Sequence, residues 1–68
     1  MTITYEEKTD VLYILLDAEV QQVRCREVAE DLILDLGPDD RIVGIEILDA
    51  SKRMRLDQIL PVEYQKTA

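Results

Sequence analysis

Hydrophobic and polar residues alternate along most of this chain, and the alternation predicts strands. Residues Thr2–Glu6 (TITYE) place Ile3 and Tyr5 on one side and Thr2, Thr4 and Glu6 on the other, a first strand with one wet face. The polar EKTD at 7–10 has hairpin length. Val11–Leu16 (VLYILL) is apolar on both faces, the pattern of a central strand covered on both sides. Asp17–Gln22 (DAEVQQ) is polar and reads as a turn or excursion. Val23–Val28 (VRCREV) alternates weakly and carries the charges that protect a sheet edge, so a strand is expected there, with a short helix over 19–29 as the competing assignment. Glu30-Asp31 is a turn candidate. Leu32–Leu36 (LILDL) turns three leucines to one face and Asp35 to the other.

Gly37-Pro38-Asp39-Asp40 is the strongest turn signal, and it predicts a hairpin into Ile42–Leu48. The β-branched Ile42, Val43, Ile45 and Ile47 favour a strand. Val43, Ile45 and Ile47 share one face; Ile42, Gly44, Glu46 and Leu48 share the other. A glycine inside a strand marks a bulge or the close approach of a backbone or an aromatic ring, which makes Gly44 a candidate position. Glu46 stands beside it. The commoner fate of such a carboxylate is solvation or pairing with an arginine on the next strand; the sharper alternative is a buried acid in a binding site. Asp49 or Ser51 can cap a helix starting near Ala50. Leu56, Ile59 and Leu60 give that helix a small apolar patch, Pro61 ends it, and residues 61–68 are expected as a loose tail. The expected fold is α+β, mainly β: a small antiparallel meander of four to five strands with a short C-terminal helix packed on one face, in a single domain with its core over about 2–60.

Size makes the fold marginal. Burying roughly 4,000 Å² of apolar surface at about 25 cal/mol/Å² yields on the order of 100 kcal/mol. Ordering 68 residues at about 1.5 kcal/mol each costs a similar amount. Cys25 is the sole cysteine and histidine is absent, so neither an internal disulfide nor a metal staple is expected. Association is the remaining common device, and a homodimer or larger is expected. The formal net charge of −7, from 15 acidic and 8 basic residues, argues against nucleic acid and anionic membrane and suits a small basic protein as partner. The six-residue apolar run at Val11–Leu16 is far too short to span a bilayer. Met1–Lys8 lacks an apolar stretch of signal-peptide type, and one free thiol suits the cytoplasm.

Two stretches resemble a known family. Asp10–Leu16 (DVLYILL), and Leu32–Ser51 with its block IVGIEIL-x-AS, resemble the small bacterial domain of unknown function 2283, over roughly residues 2–55. The resemblance implies a short stand-alone cytoplasmic protein with no established activity, cofactor or catalytic residue, sometimes beside putative toxin genes. An antitoxin-like or regulatory partner of a small basic protein is therefore an alternative to the homo-oligomeric module. The family's turn usually carries glycine where this chain has Asp40. Aspartate tolerates the left-handed conformation better than most residues, so the hairpin should survive.

Chemistry is sparse. Cys25 and Ser51 are the candidate nucleophiles, and neither has a histidine as base. Arg24 and Arg26 could lower the Cys25 pKa, but in a strand they point away from it. Ser51 reads better as a cap. Asp35, Glu46 and Asp49 could meet across the hairpin as acid–base groups, and Asp35 with Asp39-Asp40 could take a hard cation, although no full calcium loop is present. Gly37 and Gly44 make no phosphate loop. Catalytic residues, cofactor and metal are all expected to be absent. Tyr13, Gly44, Glu46 and Ser51 are the candidate functional or interface positions, with a ligand or metal site centred on Glu46 as the last alternative.

Overall fold

The computed structural model describes residues 1–20, 22–59 and 65–67. Strand β1 (Thr2–Glu6) turns through residues 7–10 into β2 (Val11–Leu15), pairing Ile3 with Ile14 and Tyr5 with Leu12. Strand β3 (Arg24–Ala29) turns at Glu30-Asp31 into β4 (Leu32–Leu36), and β4 turns through 37–41 into β5 (Ile42–Ile47). The strand over 24–29 displaces the competing helix, and its six exposed residues sit at the sheet edge. The three hairpin turns each place one aspartate in the left-handed region: Asp10 (φ 57°), Asp31 (φ 64°) and Asp40 (φ 58°). Asp40 thus stands where a glycine would be free of strain. Short side chains that bond to nearby backbone make aspartate tolerable there.

The sheet order is β3-β4-β5-β2-β1, with β6 (Gln65–Thr67) added to β1 in parallel. The five antiparallel strands and the mainly-β class match the expectation. The meander is not continuous, however: β2 pairs with β5, not with its sequence neighbour β3, setting Leu12 opposite Ile47 and Leu15 opposite Gly44. The reason is burial. A two-faced apolar strand belongs at the sheet centre, while the charged β3 tolerates an edge. Strand β6 lies within the segment expected as a loose tail.

The helical segment is two short pieces, α1 (Ala50–Arg53) and α2 (Leu56–Ile59), separated by Met54 in extended conformation. They pack on one sheet face, where Ile3, Leu12 and Ala50 form the buried centre and Tyr5, Ile14, Ile47, Met54 and Leu56 surround it. Of the apolar patch expected at Leu56, Ile59 and Leu60, Leu56 joins this cluster; Leu60 and the side chain of Ile59 lie outside the described residues, as does Tyr64. At the other end of the same face Val20 closes over Gly37 and Val43.

The α1 cap differs from the expectation. Asp49 occupies the N-cap position with φ 51° and makes no side-chain cap bond. Asp10, in the β1–β2 turn, does the capping from a distance. Its carboxylate accepts the Ser51 N–H (3.0 Å) and Ser51 Oγ–H (2.7 Å), and its carbonyl accepts the Ala50 N–H (2.9 Å). Tyr5 donates to the same carboxylate at 2.7 Å.

Candidate functional site

The sheet face opposite the helices brings together side chains from four adjacent strands. The register sets Cys25 (β3) opposite Asp35 (β4), Asp35 opposite Gly44 (β5), and Glu46 opposite Tyr13 (β2). Directly opposed residues in antiparallel strands point to the same face. Cys25, Asp35, Glu46 and Tyr13 therefore share one face of the sheet.

Gly44 makes the convergence possible. The Tyr13 ring lies flat across it, so that a Cβ at Gly44 would come 2.7 Å from Cζ and 3.0 Å from Cε1. The ring crosses β5 and donates its phenol proton to Asp35 Oδ2 at 2.8 Å. The Cys25 thiol donates to the other oxygen, Oδ1, at 3.3 Å, and lies 4.0 Å from Glu46 Oε2. Asp35 is consequently buried, at 6% exposure, although its position in β4 faces away from the helices.

Among the described residues no ion pair to Asp35 compensates that burial; hydrogen bonds do. Burial pushes the Asp35 carboxyl up, but bonds from Glu46, Tyr13 and Cys25 outweigh it and hold the group below the ordinary value. Glu46 shifts the other way: its hydrogen bond to Asp35, burial and the Asp35 charge all raise it. Of these two neighbouring like charges, Glu46 is thus the carboxyl that keeps its proton to higher pH and Asp35 the one that ionises first. The solvated or arginine-paired reading of Glu46 is replaced by this pair. Arg24 and Arg26 stand opposite Leu36 and Leu34, on the helix-bearing face. Tyr13 is pushed up to about 12 by burial and by its bond to Asp35. The Cys25 thiol is raised chiefly by its bond to Asp35 and by the Asp35 charge, not lowered by its arginine neighbours.

Among the described residues, Cys25, Asp35 and Glu46 are the group that could hold a metal, each offering one atom within 4.8 Å of the others. A tetrahedral zinc takes four ligands at about 2.0–2.3 Å, so this set would have to contract, lose its thiol proton and find a fourth donor. Asp49, expected near Asp35 and Glu46, is instead at the start of α1. Asp39 and Asp40 do not join Asp35; Asp40 pairs with Arg24. Ser51 is held by Asp10 and belongs to the helix start.

A family model described as "Protein of unknown function (DUF2283)" matches residues 2–51, which contain β1 to β5 and every member of the Tyr13–Cys25–Asp35–Glu46 cluster. The chain belongs to this family. No curated protein and no solved structure matches it. In this DUF2283 chain, Tyr13, Gly44 and Glu46 fall in one place and Ser51 in another. Asp35, read from the sequence as able to meet Glu46 across the hairpin, lies beside it, and Cys25 completes the site, a position the sequence did not connect with Tyr13. The available signal was parity within β3, β4 and β5, but the contribution of β2 depended on strand order.

Proposed function

We infer that this protein is a small non-enzymatic module that self-associates, as a homodimer or larger, and acts through protein–protein contacts in the cytoplasm. One observation carries the reading. The strand pairings bring Met1, Leu16, Val23 and Ile42 to the same end of the sheet, and all four are exposed, between 44% and 82%. Four exposed large apolar side chains at one end of a small sheet favour covering by another protein surface. Only Ile3, Leu12, Leu36, Val43 and Ala50 form the buried apolar set among the described residues, and none of the large ones falls below 2% exposure. So thin a core gains from association.

The non-enzymatic part rests on protonation. Nucleophilic catalysis needs a group activated by a lowered pKa or a base in reach. Tyr13 and Cys25 are both shifted upward, so both hold their protons at neutral pH. No described helix is long and apolar enough to cross a membrane.

Sedimentation velocity at micromolar concentration tests the reading. The chain should sediment as a dimer or larger, and Leu16→Asp with Ile42→Asp should return it to a monomer with its circular dichroism unchanged. A folded wild-type monomer across that range would end the self-association reading.

A further inference from the structure

We propose that the open face of the sheet docks a cationic protein segment, and that an arginine of this segment seats its guanidinium on the Asp35 and Glu46 carboxyl groups. This rests on the reading of the protein as a protein–protein interaction module, but not on self-association.

Charge is segregated between the two faces. Alternation puts Glu6, Glu27, Asp35 and Glu46 on the open face. The only basic residues in β1–β5, Arg24 and Arg26, stand on the other. The same face of a second copy is therefore a poor occupant, because docking would oppose two sets of the same four acids. A cationic surface is complementary. Around the acids lie the half-buried Val11, Tyr13, Leu15 and Ile33, which supply apolar contact, and beside Tyr13 is a shallow depression lined by Thr4, Glu6, Thr9 and Val11.

Arginine fits the centre better than lysine. Its planar fork can bond two carboxyl oxygens at once and stack on an aromatic ring, whereas an ammonium is a point charge. Asp35 and Glu46 present adjacent oxygens, and the Tyr13 ring lies next to them over Gly44. Where Glu46 is protonated it gives that proton to water, both carboxylates then accept guanidinium N–H bonds, and Tyr13 and Cys25 keep their bonds to Asp35. Among the described residues, the titratable groups that the register places on this face beside the pair are Tyr13 from β2 and Cys25 and Glu27 from β3; none of these is cationic. Since a protonated Glu46 must lose its proton to bind, affinity rises as pH climbs through the Glu46 titration, which is raised above 4.5.

The test titrates the ¹⁵N-labelled full chain with tetra-arginine at low salt, following backbone amides. Shifts are expected at Tyr13, Asp35, Gly44 and Glu46 and their strand neighbours. Glu46→Gln should weaken binding about tenfold, as loss of one charge-assisted bond implies. Tetra-lysine should bind more weakly than tetra-arginine. Should Glu46→Gln disturb the fold, the pH dependence of wild-type affinity serves in its place. Equal shifts at the acidic turns (Asp17, Glu19, Asp39, Asp40) would overturn the proposal. So would unchanged affinity in Glu46→Gln, equal binding of tetra-lysine, or tighter occupancy of the same amides by zinc chloride alone. A monomer that binds tetra-arginine this way sinks only self-association; an oligomer that does not bind it sinks only the docking proposal.

Discussion

Tyr13 and Asp35 lie on strands that are not neighbours, yet the phenol of one donates to the carboxylate of the other at 2.8 Å, across the bare backbone of Gly44 on the strand between them. The bond needs both the absence of a side chain at Gly44 and the pairing of β2 with β5.

Gly44→Ala therefore should not behave as a mild change. Its methyl would meet ring atoms, forcing Tyr13 off the sheet, with an expected cost of about 1–3 kcal/mol from overpacking. Urea unfolding of Gly44→Ala alone and with Tyr13→Val checks this. The second substitution should recover part of the loss, and a Gly44→Ala protein as stable as wild type would contradict the described packing.

Tyr13 should hold its phenol proton to about 12, where an ordinary phenol ionises near 10.0. The sign follows from linkage. The folded state resists ionisation, so stability falls as pH rises above 10.0 and continues to fall to about 12. Absorbance titration should show a late phenol that disappears in Tyr13→Phe.

The carboxyl pair should give an acid-range stability maximum. Glu46 is raised, so its contribution is complete below 4.5 and lost as pH rises through its folded value. Asp35 is lowered, so its contribution is complete above 3.8 and lost as pH falls through its folded value. Glu46→Gln keeps a donor toward Asp35 at every pH. Its advantage over wild type should therefore grow as pH rises above 4.5, to on the order of 1 kcal/mol, about one hydrogen bond, once wild-type Glu46 has lost its proton. Denaturant curves across that range decide it.

The α1 cap comes from Asp10, so Asp10→Ala should lower the melting temperature more than Asp49→Ala does. Its carboxyl is held below 3.8 chiefly by Ser51, then by Tyr5, so the stabilisation is present above 3.8 and fades as pH falls. Thermal melts of the two variants at pH 7 and pH 3 provide the comparison.

Asp40→Gly should stabilise by roughly 0.5–1 kcal/mol, because glycine adopts φ near 58° without a Cβ penalty. The lost ion pair to Arg24 is largely exposed and offsets little. A drop in stability would mean that the aspartate side chain holds the turn.

Much of this was legible along the chain. The strands, the turns at Glu30-Asp31 and 37–40, and the edge position of 24–29 follow from period and residue type; Gly44 was legible as a bulge or a close approach, and strand order decided for the Tyr13 ring. What escaped were contacts between residues far apart in sequence. The Asp10–Ser51 cap spans 41 positions, and local rules favoured Asp49 or Ser51 itself. The Tyr13–Asp35 bond spans 22, and no local pattern states that β2 chooses β5. The parallel β6 carries no alternation long enough to read.

The β2–β5 pairing has a mechanical consequence. Hairpin β1–β2 and the three-strand unit β3–β5 each form through near-sequence contacts; what joins them is a seam, and Tyr13 crosses it to Asp35. Closing that seam carries the larger loop entropy and belongs late in folding. The Tyr13–Asp35 bond therefore exists only in molecules whose two halves are already zipped, and whatever binds across that seam acts as a rivet against their parting.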